Sequence, residues 1–108
     1  MAMELINERV LTKAKKKHRD AAEQIDNWTD TAKDATWQSL ADVQRYFASA
    51  DGVPIKVKGI GVVVVTVFNI KGNEYRLITT IDYARRTIVI REFLTHAEYS
   101  KDQWKGRL

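Results

Sequence analysis

The stretch Val62–Ile70, VVVVTVFNI, followed by Lys71-Gly72-Asn73-Glu74, Tyr75–Ile81 (YRLITTI) and Thr87–Thr95 (TIVIREFLT), decides the fold. The first run is β-branched and apolar, and the second alternates, so each reads as a strand. Lys71–Glu74 reads as a tight turn in which Gly72-Asn73 suits positive φ. A second tight turn falls at Ala84-Arg85. Consecutive strands joined this way make an antiparallel meander.

With two central residues in each turn, Asn69 opposes Arg76 and Val67 opposes Ile78. The same arithmetic sets Arg76 opposite Phe93 and Ile78 opposite Arg91. Side chains alternate between faces along a strand. One face then collects Val64, Phe68, Leu77, Ile81, Ile88, Ile90 and Leu94, a core surface for helices to cover. The other collects Asn69, Arg76, Thr80, Arg91 and Phe93 and lies open. An open face with arginines and an aromatic suits phosphates and bases. Open faces of antiparallel sheets are also polar for no functional reason.

Working towards the N-terminus, Ala48–Gly61 carries Gly52, Pro54, Gly59 and Gly61 and reads as a loop. Residues before it read as helix. Met3–Ile6 is either a short edge strand or a helix lead-in. Asn7 is a candidate N-cap, with Val10, Leu11 and Ala14 at helical spacing. Lys13, Lys15, Lys16, Lys17 and His18 crowd the end of that helix, where positive charge suits the macrodipole. Asp20 is a candidate cap for a second helix striped by Ala21, Ile25, Trp28 and Ala32. The two helices are expected to form an antiparallel hairpin. Ser39 with Asp42 resembles a capping box for a short third helix carrying Leu40, Val43 and Phe47. The expected fold class is therefore α+β, an N-terminal helical hairpin packed on a twisted antiparallel sheet.

The chain of 108 residues suits one domain, residues 1–108. Its lack of cysteine excludes disulfides, thiolate nucleophiles and thiolate metal sites. Two histidines are too few for a His-rich metal site, and no metal or cofactor is expected. No apolar run approaches the roughly 20 residues of a transmembrane helix. The N-terminus has no signal-peptide pattern. A soluble, cytoplasmic protein without membrane contact is expected. Residues 1–50 hold eight Lys/Arg and eight Asp/Glu, whereas residues 51–108 hold ten and six, so the whole excess of +4 lies in the second half. A basic half-domain fits a polyanion partner. Gly59-Ile60-Gly61 lacks the rest of any phosphate-loop fingerprint. There is no nucleophile elbow and no paired-carboxylate motif.

VFNIKGNEYRLI (Val67–Ile78), FLTHAEYSKDQWK (Phe93–Lys105) and AKDATWQSLADVQRYFASAD (Ala32–Asp51) together resemble the HigB family of toxins, within the RelE-like group. The resemblance covers almost the whole chain. Ser100 stands where the family usually has Asp, and the loop Val53–Val65 is longer and richer in Gly and Val than usual. The resemblance implies a ribosome-dependent mRNA endonuclease, the toxin of a type II toxin–antitoxin pair that inhibits translation. It further implies metal-independent attack of a ribose 2′-OH on the adjacent phosphate, giving a 2′,3′-cyclic phosphate and a free 5′-OH. The implied partners are mRNA on the ribosome, ribosomal RNA, and a HigA-like helix-turn-helix antitoxin.

Such chemistry asks for a cation at the phosphate, a base and an acid. The candidate catalytic residues are Arg76, His96, Tyr99 and Arg91. Arg76 matches the arginine of the family's YRL strand, and a planar, permanently charged fork suits a phosphate. Arg91 is expected on the same face, as a second clamp or as a partner for ribosomal RNA. Histidine as a residue type exchanges its proton near neutral pH. Strict alternation sets His96 on the core face, so the chain must bend after Leu94 for it to reach the site. Tyr99, three residues on, comes beside His96 in one helical turn, to stack on a base or position the 2′-OH. Candidate RNA-binding residues are Lys71, Asn69, Phe93, Lys101 and Lys105. Each of these residues also has an ordinary structural role open to it: a surface ion pair, a helix cap, an aromatic lid. Two rival classes remain, a catalytically degenerate RNA- or ribosome-binding module and a pure antitoxin-binding protein.

Overall fold

The computed structural model describes residues 2–108. Its elements are β1 (Glu4–Ile6), α1 (Arg9–Lys17), α2 (Ala22–Asp34), α3 (Leu40–Tyr46), β2 (Asp51–Val57), β3 (Gly61–Ile70), β4 (Tyr75–Asp82), β5 (Thr87–Thr95) and α4 (His96–Ser100). Short 3₁₀ turns lie at Arg19–Ala21 and Gln103–Arg107. The five strands form one mixed sheet in the order β1-β5-β4-β3-β2.

The meander β3–β4–β5 is antiparallel, but the sheet as a whole is not. β1 pairs with β5 in parallel, Leu5 beside Ile88. At the far edge β2 pairs with β3 from Asp51–Val67 to Val57–Gly61. That segment was expected as loop. Its Pro54 sits on an edge strand, the place in a sheet that tolerates a residue without an N–H. Ile55 is buried beneath the alternation that Gly52 and Pro54 obscure in the sequence.

α1 buries Leu11 and Ala14, and the expected stripe Ala21, Ile25, Trp28 and Ala32 is buried along α2 and its lead-in turn. Lys15–Asp26 and Lys33–Glu8 ion pairs link the two helices. Ser39 caps α3, its Oγ accepting the Asp42 N–H at 3.4 Å. Two expected caps serve other ends. Asn7 has φ 71°, and its Nδ2 donates to the Ile90 carbonyl at 3.0 Å, tying the start of α1 to β5. Asp20 accepts the Tyr75 hydroxyl at 2.9 Å and the Lys71 ammonium at 3.0 Å, tying the helical half to the β3–β4 turn.

The sheet is covered on both faces. Towards the helices lie Phe68, Ile70, Tyr75, Leu77, Ile88 and Ile90, with Phe93 packed against them. On the opposite face Ile55, Val65, Val67, Ile78 and Leu94 close around Trp104, with Tyr99 and Leu108 packed against that cluster. The face expected to be open therefore has its own small core, roofed by the last residues of the chain. Val64, expected in the core, is exposed.

One irregularity moves the remaining residues between faces. Near the second turn the expected register holds, Asp82 opposite Thr87 and Thr79 opposite Ile90. Between Ile78 and Thr79 the register shifts by one, so Ile78 opposes Glu92 and Arg76 opposes Leu94. Arg91 is the extra residue. A bulge of this kind inverts the facing of every residue beyond it. Phe93 thus turns to the helices and Leu94 to the second face, the reverse of strict alternation. Without the bulge Glu92 would point into the helix-covered core. With it, Glu92 reaches out to an ion pair with Arg107 at 2.7 Å.

Candidate functional site

The same bulge assembles the candidate site. Inverting the phase after Arg91 brings His96, at the start of α4, to the face that carries Arg76. A bend after Leu94 is therefore not what delivers it. β5 passes into α4 through a capping box. Thr95 Oγ1 accepts the Glu98 N–H at 3.1 Å, and Glu98 Oε1 accepts the Thr95 N–H at 2.9 Å. That backbone donor holds the Glu98 carboxyl below the usual carboxylate range. The box fixes the direction of α4 and hence the positions of His96 and Tyr99.

Arg76 is buried, 8% exposed, and its guanidinium is closely held. Nη1 donates to the carbonyls of Asn73 at 3.0 Å and Tyr75 at 3.1 Å. Nη2 donates to the Asn73 side-chain oxygen and lies 3.3 Å from His96 Nδ1. Arginine can only donate, so this contact is a hydrogen bond in the tautomer whose Nδ1 is free to accept. The guanidinium carbon also stands 5.5 Å from the centre of the Tyr99 ring, a cation–π distance. Tyr99 in turn stacks on Trp104, centroids 5.3 Å apart and planes 16° apart. Trp104 Nε1 donates to the Tyr99 carbonyl at 3.0 Å.

The arginine is thus neither on an open face nor paired with Glu74 or Glu92. It is the hub of a cluster of Asn73, His96 and Tyr99 at the end of the second small core. Asn73 was read as a turn residue only. The tight loop Lys71–Glu74, with Lys71 at φ 54° and Gly72 at φ 64°, aims its side chain back at the strand it precedes. The spacing Asn73-x-x-Arg76 across a turn was the available signal.

A family model described as the RelE-like toxic component of a toxin–antitoxin system, the HigB toxin, matches residues 21–102. The chain belongs to the HigB toxin family. No curated protein matches it. The match includes Asn73, Arg76, His96 and Tyr99 but stops short of Trp104, and it begins after β1 and α1.

The other sequence candidates of this HigB toxin scatter. Arg91 sits in the bulge, exposed, with Nε donating to Thr80 Oγ1 at 3.1 Å. It makes no contact with Arg76 or His96. Phe93 faces the helices, stacked on Tyr75 at 5.2 Å, and is not part of a base-stacking face. Lys71 is engaged by Asp20 and by Glu74 at 3.5 Å. Asp20 raises the Lys71 pKa and is itself held below its ordinary value, first by Lys71 and then by the Tyr75 hydroxyl. Asn69 is half-buried opposite Arg76. Lys101 is exposed, and Lys105 pairs with Asp102 at 3.3 Å. No cluster of three or more metal-ligating side chains occurs among the described residues. No helix among them is long and apolar enough to cross a membrane.

Proposed function

We propose that this HigB family protein is a ribosome-dependent mRNA endonuclease that arrests translation, with residues 1–108 acting as one toxin domain in the cytoplasm and a HigA-like helix-turn-helix antitoxin as its inhibitor. The observation that carries the reading is the contact of Arg76 with His96 beside Tyr99, in a chain of a toxin family. A buried guanidinium 3.3 Å from an imidazole gives a site for an anion and for a proton in one place. Among the described residues Nε is the guanidinium nitrogen with no partner.

In the proposed reaction the scissile phosphate draws the Arg76 fork from His96, and the fixed positive charge meets the charge that grows on the phosphate. The released Nδ1 accepts the proton of the 2′-OH, which Tyr99 orients. The 2′-oxygen–phosphorus bond forms and the phosphorus–5′-oxygen bond breaks. The imidazolium returns a proton to the leaving 5′-oxygen. No water is consumed and no metal takes part. Lys101 and Asn69 border the site and contact the RNA backbone.

One observation favours the rival reading of a binding module without chemistry. Four of the five Arg76 N–H groups already have protein partners, as in a structural arginine. Induced expression of wild type and Arg76→Ala in a heterologous bacterium, with growth and mapped mRNA 5′ ends as readouts, separates the two. The nuclease reading expects arrest and new ribosome-dependent cuts, both lost in the variant. Healthy growth with soluble, folded wild-type protein and no cuts supports the binding module.

A further inference from the structure

The chain reverses direction after α4 at Asp102, whose φ of 62° lies in the left-handed region. The reversal sends the 3₁₀ turn Gln103–Arg107 back over the second face of the sheet, where Trp104 is fully buried. A 3₁₀ turn has poor hydrogen-bond geometry of its own, and chain ends fray unless they are tied down. This one carries the ring on which Tyr99 stacks.

Among the described residues the polar tie between this turn and the sheet is one ion pair. Arg107 Nε donates to Glu92 Oε1 at 3.0 Å and to Oε2 at 3.1 Å, and Nη2 donates to Oε1 at 2.7 Å. A planar fork on both oxygens of a carboxylate fixes direction as well as distance, unlike an ordinary surface pair. Glu98 attracts the same guanidinium at longer range, but its carboxyl is closed into the capping box. Glu92 meets Arg107 because of the bulge in β5. The shifted register sets Glu92 opposite Ile78, a member of the second small core. One extra residue thus turns His96 to Arg76 and Glu92 to Arg107 together.

From Arg107 the contacts run inward in one line. Residues three apart share a side of a 3₁₀ turn, so seating Arg107 on Glu92 also seats Trp104. Trp104 Nε1 donates to the Tyr99 carbonyl at 3.0 Å, and the two rings stack 5.3 Å apart. The Tyr99 ring lies 5.5 Å from the Arg76 guanidinium carbon.

We propose that Glu92 and Arg107 are positioning residues of the candidate site: their ion pair seats the C-terminal turn so that Trp104 holds the Tyr99 ring over Arg76. Both act through Tyr99 rather than on the RNA. Arg107 and Trp104 lie beyond the stretch that the family model matches. The proposal rests on the nuclease reading for what this placement serves, not for the placement itself.

The test compares the full chain with Arg107→Gln, Glu92→Gln, the double variant and the swap Glu92→Arg/Arg107→Glu. It reads hydrogen exchange of the Trp104 indole N–H, the ring-current shift that Tyr99 imposes on the Arg76 side-chain signals, and kcat and KM for cleavage of ribosome-bound mRNA. Each single variant is expected to speed indole exchange about fivefold, the change in opening that a well-formed surface pair supports. The Arg76 signals should lose part of their ring-current shift. kcat should fall about tenfold with KM near wild type, as for a group held slightly out of place. The double variant should lose no more than either single one, since both break the same pair, and the swap should recover most of the loss. Arg85→Gln removes a cation from the surface pair with Asp82 and should change none of the readouts. Thermal denaturation of each variant confirms folding. Unchanged indole exchange and Arg76 signals in both single variants would overturn the proposal, as would faster exchange with unchanged kcat. Additive losses in the double variant would also overturn it, because the two charges would then act separately. A wild type that cuts nothing on the ribosome would overturn the nuclease reading alone; exchange and the Arg76 signals then uphold or overturn the seating by themselves.

Discussion

The two faces of the sheet are built on different terms. The helix-covered face is closed by α1 and α2, and its interior is apolar: Trp28 against Phe68 at 5.2 Å, Phe47 against Phe68 at 5.4 Å. The second face is roofed by a short helix and a 3₁₀ turn around one aromatic, Trp104, which is fully buried. Its cluster ends in a charged hub rather than another side-chain layer. Arg76 belongs to that hub, and apart from the adjacent Tyr75 carbonyl every neighbour that holds it comes from a turn or from the chain after β5. The contrast separates a face that carries stability from one that carries a candidate function on little structure.

The largest effect expected is on this division. Trp28→Ala and Trp104→Ala each remove a buried indole, and each is expected to cost about 3–5 kcal/mol by thermal or urea denaturation. Their functional consequences should differ. Trp104 stacks on Tyr99 and bonds its carbonyl, so its loss frees the ring that lies over Arg76. At a temperature where both variants remain folded, cleavage should fall far more in Trp104→Ala than in Trp28→Ala. Equal losses of activity would mean that the two faces are one cooperative unit with respect to function.

Asn73 sharpens the comparison from inside the hub. Its carbonyl and side-chain oxygen both hold the Arg76 guanidinium. Asn73→Ala leaves a buried charged donor without a partner, a cost of about 1–3 kcal/mol. Roughly tenfold of activity should go with it, by analogy with misplacing a group that must be held in register. Asn73→Asp keeps a partner for the guanidinium but neutralises its charge. It should therefore restore stability and not activity. Restored activity would show that the charge of Arg76 is not what the site uses.

How much of this was legible depended on what each signal measures. Hydrophobic period revealed the stripe of α2 and the register of β3 on β4, because local pattern alone sets them. It failed where a single extra residue changes the phase. The polar pair Arg91-Glu92 was the mark of that bulge, since strict alternation would bury Glu92 among Ile88 and Ile90. The strand β2 was hidden by Gly52 and Pro54, which an edge tolerates. The parallel pairing of β1 depends on contacts some 80 residues apart in sequence, as in Leu5 beside Ile88, and no local pattern encodes it. Family strings pointed to Arg76, His96 and Tyr99. They did not show that Arg76 is buried, because the Tyr99 ring over it is held by its stack on Trp104, a tertiary contact at the end of the chain.

Thr95→Ala tests how far the hub depends on α4. The capping box aims this helix and with it His96 and Tyr99. Loss of the hydroxyl is expected to cost about 1 kcal/mol. Activity should fall in parallel as α4 frays, and Thr95→Ser should recover both. A stability loss without any change in cleavage would show that His96 keeps its place without the cap.

The smallest effect expected belongs to the link between the two halves, Asp20 with Lys71 and Tyr75. The Asp20 carboxyl is held below its ordinary value by Lys71 and then by the Tyr75 hydroxyl. A depressed carboxylate binds fewer protons folded than unfolded, so it adds stability above the unfolded value, near 4. That stability is lost as the pH falls through the lower folded value. Lys71 and Tyr75 are both raised by Asp20, so their share is present at neutral pH and lost as the pH rises through values above 10. Asp20→Asn should therefore be slightly less stable than wild type at pH 7. The gap should close at both extremes, below pH 4 and well above pH 10. Denaturant midpoints of the pair, measured across pH, read this directly. A gap that stayed constant with pH would mean that the contact acts through its hydrogen bonds alone. Cleavage should be unchanged in either case, because the link lies on the helix-covered side of the sheet and Arg76 on the other.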